Sequence, residues 1–500
     1  MRDSLKYRFE YIISLMISIV VSGIFLFNSP LHPWIRKEPG IDSSVFKTVS
    51  LMMREGYLPY KDSFDHKGPL LYFINFWGDC LSKEYGVLFF ELLSLSVTVF
   101  VMFRIARLFC KSFPSAMAVF VALSLLFNYF EGGNFTEEYA MPFIAVSLLY
   151  FISYIKDQTI PNWKVVVSGI CLGAVLMLRP NMISVWIVFC IAITVMQIKN
   201  QDINKLIRFI LLFLLGVVIS ILPILIWLLA KGIFGDFFDA YLIFNFLYSD
   251  NVSGDKWWAF FTFFETPVFV FSFFTLVVFA KKNWLNSCYI IYLITTIVLM
   301  VMSGVPYAHY GMVLIPGLVY PISLLFHNVE ILGDEKTRCV ISNLLAVYIL
   351  SVYIVSNWIG IVRNIPQIYN DRNSNHMSAV ATEVTNLIQE LTDEKDAISV
   401  YGNWNVVYVL SNRRHATKYS FQSPIGGVNP AIMDEYWNEL QEELPPIIVV
   451  SSGYYNDGIK EFLTNNDYEM IYAENLTDYE HGVVVYALMN KLKPFQNPWI

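Results

Sequence analysis

Long apolar runs alternate with short polar segments along the first 360 residues of the chain. A helix needs about 20 apolar residues to cross a bilayer, and runs of this kind recur. We place them near residues 9–28, 87–109, 113–130, 139–155, 164–178, 181–198, 207–230, 258–280, 285–303, 307–327 and 339–360. The pattern predicts an α-helical polytopic membrane protein with about 11 transmembrane helices. The fifth and sixth runs are short, with only Arg179-Pro180-Asn181 between them, so the count can shift by one or two.

Apolar runs shorten to strand length after residue 360. Four runs predict strands, at 397–401, 406–410, 447–450 and 483–486, and the stretches near 378–392, 431–442 and 457–465 predict helices. Strands that alternate with helices are typical of an α/β domain. We therefore predict two domains. Residues 1–360 form a transmembrane domain with a large first loop at 29–86, and residues 361–500 form a C-terminal α/β domain.

Composition and charge agree with a membrane protein and indicate its orientation. The chain is 56% hydrophobic and only 15% charged, against about 25% charged residues in soluble proteins. Lysine and arginine concentrate in alternate short loops, which predicts a cytoplasmic N-terminus and, after eleven spans, an extracytoplasmic C-terminal domain. A net charge of −7 argues against nucleic acid as a partner. We expect a multi-pass protein of the plasma (inner) membrane, surrounded by membrane lipids.

The first loop carries the most informative polar residues. Asp42 opens a segment with apolar residues at helical spacing, which predicts a surface helix with Asp42 as its N-cap. Further along, Asp65, His66 and Lys67 precede Gly68-Pro69 and an apolar run. Proline favours the first turn of a helix, so Lys67 is expected beside a helix N-terminus, where free N–H groups favour an anion. A solvated loop near lipid headgroups would explain these residues equally well.

Three later segments on the same predicted side add further polar residues. They are Glu137 and Glu138 where the fourth span begins, Arg179 between the fifth and sixth spans, and His309 with Tyr310 where the tenth begins. Each has a structural explanation, as a helix-start carboxylate, a snorkelling arginine or a helix-end histidine. Together they place carboxylates and cations on the outer side. Such a site suits chemistry in which a carboxylate accepts a proton while cations stabilise a departing phosphate.

Three segments of the first loop form a recognisable pattern: Asp42-Ser43-Ser44-Val45-Phe46, Gly56-Tyr57-Leu58-Pro59-Tyr60-Lys61-Asp62 and Asp65-His66-Lys67-Gly68-Pro69. They resemble the first outer loop of GT-C glycosyltransferases, in particular the branch of protein O-mannosyltransferases and the aminoarabinose transferase of lipid A. The resemblance implies a membrane glycosyltransferase that moves a sugar from a polyprenyl-phosphate-sugar donor to a glycan, lipid or protein acceptor on the extracytoplasmic face.

The same resemblance implies roles for individual residues. Asp42 would be the catalytic base, and Lys67, Arg179 and Tyr310 would contact the phosphate. Two positions depart from the family's pattern. Ser43 stands where a second acid often follows the first-loop aspartate, and Gly68 interrupts the Lys-Pro motif. Asp65, Glu137 or Glu138 could supply the second carboxylate.

Two other functions and one cofactor stay open at this stage. A polysaccharide polymerase or ligase would use a long lipid-linked glycan as donor. A lipid-linked glycan transporter would need polar residues in the middle of its spans, and these interiors are almost free of charge, which favours surface chemistry. No cofactor is predicted. A divalent cation beside the acids stays an alternative, although the six scattered cysteines and the remaining residues form no metal-ligand motif.

Overall fold

The computed structural model describes most of the chain. The described residues are 2–35, 38–251, 254–280, 283–302, 304–331, 356–371, 378–423, 425–451, 453–474 and 482–493. The predicted eleventh span, near 339–360, lies outside the described residues up to position 355. The helix Ser356–Asn370 follows it.

Apolar helices form a bundle that accounts for most of residues 2–331. Within the described part of the chain, five helical segments are long and apolar enough to cross a membrane: Phe9–Asn28, Gly86–Ala106, Thr136–Asp157, Ile203–Ala230 and Ala308–His327. Shorter apolar helical segments complete the bundle: Ser112–Asn128, Asn162–Leu176, Ser184–Lys199 and Trp284–Met300. The chain is therefore a multi-pass membrane protein.

Several of these segments join an α-helix to a 3-10 turn. The pairs are Arg2–Phe25 with Leu26–Asn28, Ser112–Ser124 with Leu125–Asn128, and Ala308–Leu314 with Ile315–Ile331. A further 3-10 turn, Pro180–Met182, connects two of the shorter helices. Arg179 precedes this turn, at one end of the bundle.

The predicted span at 258–280 is broken in two. The helices Lys256–Phe264 and Pro267–Ala280 meet at an angle of 81°. Proline has no amide N–H with which to continue the first helix, and it disfavours helical backbone at the residue before it. A second helix therefore begins at Pro267. If the bent pair is one span, the described residues contain six candidate spans.

Two helices lie inside the first loop. The first, Ile41–Arg54, is amphipathic and packs against the second, Pro69–Leu81. The prediction that Pro69 stands in the first turn is confirmed. The prediction that Asp42 is the N-cap is wrong, because Gly40 holds that position and Asp42 lies inside the first turn without a capping hydrogen bond. Its carboxylate is therefore not used to satisfy the helix end.

The C-terminal part contains a mixed sheet. Among the described residues it has five strands, β1 (Ala397–Tyr401), β2 (Arg414–His415), β3 (Ile447–Val450), β4 (Glu469–Ala473) and β5 (Val484–Ala487), in the order β2-β1-β3-β5-β4. β1 pairs in parallel with β2 and β3, whereas β5 is antiparallel to β3 and β4. The helices of this part are Ala379–Leu391, Val406–Ser411, Ile425–Val428, Ala431–Glu443 and Asp457–Asn465.

Three predicted strands of this sheet are confirmed and one is wrong. The run at 406–410 forms a helix, Val406–Ser411, which packs on the helices Ala379–Leu391 and Ile41–Arg54. Both sides of this run are covered, so its continuous apolar pattern cannot separate a buried helix from a buried strand. Strands β2 and β4 are not among the predicted strands: β2 has two residues, and β4 carries a four-residue apolar run that is only partly buried.

The C-terminal part packs directly on the first loop. Phe64 N–H donates to the carbonyl of Lys418 at 2.8 Å, and His415 Nε2 lies 2.9 Å from Ser63 Oγ. A single buried apolar cluster continues from the helical bundle through Tyr60 and Phe64 to Tyr419. The first loop is therefore held between the bundle and the C-terminal part.

Candidate active site

Buried tyrosines fix the backbone of the segment Asp65-His66-Lys67. Tyr72 OH donates to Asp65 Oδ2 at 2.8 Å and accepts from Lys67 N–H at 3.0 Å. Tyr60 OH donates to the Lys67 carbonyl at 2.9 Å. Both tyrosine rings are almost fully buried. The three polar residues therefore stand on a rigid turn immediately before the helix that begins at Pro69.

His66 is placed between charged neighbours. Its Nε2 lies 3.0 Å from Lys67 Nζ, and its ring stacks on Tyr248 with the ring centres 5.6 Å apart. Asn245 Nδ2 donates to the His66 carbonyl at 2.8 Å. Burial lowers the pKa of His66 well below its usual value, and the charges of Lys67 and Arg179 lower it further. The neutral ring accepts a hydrogen bond from the lysine ammonium group.

Asp65 and Asp42 are two carboxylates with different surroundings. Burial raises the pKa of Asp65 and the charge of Asp42 raises it further, whereas Lys67 and the Tyr72 hydrogen bond oppose the rise. Asp42 is only half-buried, and within the described chain its side chain has no hydrogen-bond partner. Asp42 is thus the more accessible of the two groups, and Asp65 belongs to the interior of the turn.

Arg179 forms the second cationic element. Its Nη1 lies 2.5 Å from Glu137 Oε1, and its guanidinium group stands 4.1 Å from the centre of the Tyr310 ring. Burial lowers the pKa of Arg179, but Tyr310 and Glu137 outweigh this effect and raise it overall. Arg179 therefore stays charged inside a largely buried pair.

Backbone hydrogen bonds bring Lys67 close to Arg179. Gly68 N–H donates to the Leu178 carbonyl at 3.0 Å, and Leu70 N–H donates to the Met177 carbonyl at 3.1 Å. A Cβ atom on Gly68 would lie 2.1 Å from the Met177 carbonyl oxygen. The glycine that interrupts the Lys-Pro pattern is thus required by this close approach of two backbones.

His309 and Glu138, two further predicted residues, are placed differently. His309 Nδ1 lies 2.7 Å from Glu131 Oε2, and its ring stacks on Phe135 at 4.3 Å between centres. The hydrogen bond from His309 lowers the pKa of Glu131. Glu138 Oε2 accepts from Asn134 N–H at 2.8 Å, and its buried Oε1 has no hydrogen-bond partner in the described structure. Glu138 thus supports the neighbouring loop and does not join the Lys67–Arg179 group.

Asn134 is a central residue that the sequence pattern did not reveal as such. It is fully buried, and its Nδ2 donates to Ser43 Oγ and to Asn75 Oδ1, both at 2.9 Å. Its Oδ1 accepts from Tyr139 OH at 3.0 Å. Asn134 also has a positive φ of 61° after two glycines of positive φ, so Gly132-Gly133-Asn134 was the available signal for a tight polar turn. It links the helix that carries Asp42 to the helix that carries Glu137.

Other missed residues contact the predicted ones or the first loop. Tyr248 and Asn245 contact His66, Tyr72 holds Asp65, Glu131 pairs with His309, and His415 reaches Ser63. Tyrosine and asparagine inside apolar helices give little signal in a single sequence. Their positions follow only from the way the elements pack.

The arrangement gathers most predicted residues at one end of the bundle. Asp42, Asp65, His66 and Lys67 come from the first loop, and Glu137, Arg179 and Tyr310 come from three other segments. The charge of Asp42 acts on Asp65, and the charges of Lys67 and Arg179 act on His66, the next residue of the same turn. Two cations and a half-buried carboxylate in one region can hold an anionic group and accept a proton near it. Among the residues that the structure describes, no three His, Cys, Asp or Glu side chains are grouped so that they could hold a metal ion.

A family match covers all of these residues. Residues 4–356 match the family described as "Putative competence-induced protein Ccs4 N-terminal domain". The chain belongs to this family. The Ccs4-family match includes the whole site from Asp42 to Tyr310 and ends before the C-terminal sheet. Among curated proteins, none is significantly similar to the chain in sequence.

Solved structures share the fold of this Ccs4-family chain at low sequence identity. ArnT from Cupriavidus metallidurans bound to undecaprenyl phosphate is 12% identical, with a TM-score of 0.61 over 96% of this chain and 99% of ArnT. The apo form of ArnT is 11% identical, with a TM-score of 0.61 over 98% of this chain and 100% of ArnT. The apo oligosaccharyltransferase of Archaeoglobus fulgidus is 11% identical, with a TM-score of 0.50 over 88% of this chain and 69% of its own. ArnT and the oligosaccharyltransferase are GT-C superfamily members, and the Ccs4-family chain has the GT-C fold.

Proposed function

We propose that this protein is an integral-membrane glycosyltransferase. It moves a sugar from a polyprenyl-phosphate-linked donor to an acceptor on the extracytoplasmic face. The observation that carries the proposal is the group formed by Asp42, Lys67 and Arg179 at one end of a GT-C bundle. ArnT, which has the same fold, was solved with undecaprenyl phosphate bound, and this supports a donor of that chemical class.

In the proposed reaction, Asp42 removes the proton from the acceptor hydroxyl. The acceptor oxygen forms a bond to the anomeric carbon while the bond from that carbon to the phosphate oxygen breaks, with inversion. The electron pair of the broken bond stays on the polyprenyl phosphate. A positioned base contributes about 10²–10⁴-fold to the rate of such a step.

Lys67 and Arg179 stabilise the charge that grows on the leaving phosphate. They approach it from adjacent backbone segments, and the buried Arg179–Glu137 pair keeps one of them fixed. Preorganised charges of this kind need no reorganisation during the reaction, and loss of one donor typically costs about 10²–10³ in kcat. Tyr310 orients the guanidinium group, and His309 braces the adjacent turn through Glu131. No step is assigned to a metal ion.

The direct test uses the purified full chain in lipid nanodiscs with polyprenyl-phosphate-monosaccharides. Release of polyprenyl phosphate in the presence of an acceptor mixture is measured for the wild type, Asp42→Asn and Glu55→Gln. Glu55 is an exposed carboxylate at the opposite end of the helix that carries Asp42, which makes it a matched control. We expect Asp42→Asn to lose turnover by about 10²–10⁴-fold and Glu55→Gln to retain it.

Turnover by Asp42→Asn at the wild-type rate would remove the proposed base. A donor panel that includes a lipid-linked oligosaccharide distinguishes transfer of one sugar from the polymerase or ligase reaction, which would use the same site. Movement of lipid-linked glycan across sealed vesicles without release of polyprenyl phosphate would indicate the transporter and contradict the proposal.

A further inference from the structure

The helix Phe244–Asn251 lies against the Lys67 side of the site. Its Asn245 donates to the His66 carbonyl at 2.8 Å, and Tyr248 stacks on the His66 ring with the ring centres 5.6 Å apart. A π-helical turn, Asp239–Ile243, precedes this helix, and such turns are rare and occur often at functional sites. Because His66 Nε2 lies 3.0 Å from Lys67 Nζ, Tyr248 is fixed beside the lysine that we assign to the leaving phosphate.

A second tyrosine extends the Arg179 side of the site. The Tyr310 ring lies 4.1 Å from the Arg179 guanidinium group, and the Tyr307 ring meets the Tyr310 ring edge-on, with centres 5.4 Å apart. Tyr307 also stacks on His309 with centres 5.7 Å apart. Tyr307 is 41% exposed, whereas Tyr310 and His309 are buried. Tyr307 therefore has surface that a ligand can reach.

The two sides meet at the hydroxyl groups of Tyr248 and Tyr307. Burial raises the pKa of Tyr248, and the nearby hydroxyl of Tyr307 and the charge of Asp42 raise it further. Backbone hydrogen bonds from Gly68 and Leu70 already join the Lys67 segment to the Arg179 segment. A closed circle of contacts results, and its members are Lys67, His66, Tyr248, Tyr307, Tyr310 and Arg179.

The proposed reaction leaves one place for the donor sugar. The anomeric carbon must lie between the Asp42 carboxylate, which activates the acceptor, and the phosphate held by Lys67 and Arg179. Tyr248 is near both, because its ring stacks beside Lys67 and its hydroxyl responds to the charge of Asp42. Tyr248 and Tyr307 are both at least partly exposed. Their hydroxyl groups can donate and accept hydrogen bonds, as the hydroxyl groups of a sugar do.

We propose that Tyr248 and Tyr307 bind the sugar ring of the donor through its hydroxyl groups. The proposal rests on the proposed function, because it takes the lipid phosphate to lie at Lys67 and Arg179. The two cations hold the phosphate whether or not a sugar is attached, and the two tyrosines add affinity only when a sugar is present. Tyr248 and Tyr307 are then the residues that distinguish a sugar-linked donor from the bare lipid phosphate that is released.

The test compares the binding of two kinds of lipid to the full chain in nanodiscs, without an acceptor. One is undecaprenyl phosphate, and the other is undecaprenyl phosphate linked to glucose, mannose, galactose or N-acetylglucosamine. In Tyr248→Phe/Tyr307→Phe, affinity for the sugar-linked lipid that the wild type binds best should fall about tenfold, because two hydrogen bonds are lost. Affinity for undecaprenyl phosphate should change by less than about twofold, because no contact to the phosphate is removed.

Two further variants serve as controls. Lys67→Met should weaken the binding of both kinds of lipid, because it acts on the phosphate. Tyr85→Phe, at an exposed tyrosine directly before the helix Gly86–Ala106, should weaken neither. The single variants Tyr248→Phe and Tyr307→Phe keep both aromatic rings and are measured too, so that binding can be assessed if the double variant does not fold.

Three results would overturn the inference. These are an equal loss of affinity for both kinds of lipid, unchanged affinity for every sugar-linked lipid in the double variant, and no binding of any sugar-linked lipid by the wild type. Binding that depends on the two hydroxyl groups, without transfer of the sugar to any acceptor, would leave this inference standing and contradict only the proposed function. Transfer with kcat and KM unchanged in the double variant would do the reverse.

Discussion

The two sides of the first-loop segment 59–68 are built from different interactions. On the side of the helical bundle, His66 and Lys67 meet Arg179 and a buried carboxylate, so that side is dense in charge. On the side of the C-terminal part, Ser63 and Phe64 meet His415, Lys418 and Tyr419 through hydrogen bonds and ring contacts. The same ten residues thus face charged groups on one side and mostly neutral packing on the other.

Under the proposed function, this difference divides the residues that take part in the reaction from those that hold the loop in place. Burying a charged side chain costs free energy of folding unless the charge is paired. The concentration of charged groups on one side of the segment therefore indicates a functional role there. Neutral hydrogen bonds and ring packing hold a backbone in place and leave no strong field. We therefore expect changes on the bundle side to reduce turnover, and changes on the C-terminal side to act mainly on stability.

The largest effect is expected at Arg179. Arg179→Met leaves Glu137 buried without its cation, which should reduce the free energy of unfolding by about 3–5 kcal/mol. Adding Glu137→Gln should recover most of that stability but not the turnover. Thermal unfolding in detergent and donor turnover are measured on the same preparations.

The control for this pair is Arg107→Met. Arg107 also binds a glutamate, Glu10, at 2.6 Å, but outside the site. It should alter stability and leave turnover intact. Normal turnover by the Arg179→Met/Glu137→Gln variant would show that the guanidinium group has no role in the reaction.

The next effect is expected at Lys67. Lys67→Met removes one cation from the leaving phosphate while the backbone contacts of Tyr60 and Tyr72 remain, so kcat should fall by about 10²–10³-fold. Unfolding temperature should change little. The matched variant Lys61→Met, at an exposed lysine of the same loop, should keep wild-type kcat. If Lys67→Met lowered the unfolding temperature and left kcat unchanged, Lys67 would have a structural role only.

A pH effect is expected on the C-terminal side at His415. Burial lowers the pKa of His415 from 6.5 to about 4. Because the folded pKa lies below the unfolded one, the stabilising contribution is fully present above pH 6.5 and is lost as the pH falls through about 4. The difference corresponds to about 3 kcal/mol at most. Unfolding temperature measured across this range should depend less on pH in His415→Gln than in the wild type.

His32 has a pKa lowered in the same way, to about 4, so His32→Gln is needed to subtract its contribution. The pH dependence that remains in His32→Gln is then assigned to His415 and the other groups. An identical pH profile for His415→Gln and the wild type would contradict a neutral, buried His415.

The smallest effect is expected at Ser63. Ser63→Ala leaves the buried Nε2 of His415 without its hydroxyl partner, at a cost of about 1–3 kcal/mol, and should leave kcat nearly unchanged. Ser63→Thr restores a hydroxyl group and should recover part of the loss. A large fall in kcat for Ser63→Ala at normal stability would show that the C-terminal side of the segment also affects turnover.

Much of the fold could be predicted because its signals are local. The strand at 397–401 and the helix at 457–465 have the predicted bounds, since an apolar run or an amphipathic pattern lies within each element. The prediction of a strand at 406–410 is wrong because a short, continuous apolar stretch shows neither the helical nor the strand periodicity. The prediction of Asp42 as the N-cap is wrong because the helix begins one residue earlier, at Ile41, and Gly40 holds the N-cap position.

The residues of the candidate site also differ in how well the sequence reveals them. Asp65, His66 and Lys67 stand out because charged residues are rare in this chain and these three are consecutive. Asn134, Asn245 and Tyr248 do not stand out, because their roles depend on contacts between residues far apart in sequence. Glu138 and Glu137 are equally conspicuous in the sequence and differ in their contacts. Packing directs Glu138 to the Asn134 backbone, whereas its neighbour Glu137 meets Arg179.

The contact of Gly68 with Met177 and Leu178 has a consequence for how this site can change over time. Main-chain atoms, not side chains, determine the separation between positions 67 and 179. Substitutions at these two positions would alter what is bound while the spacing for a ligand persists. A lineage could therefore exchange its substrate without rebuilding the scaffold, provided that residue 68 stays without a side chain.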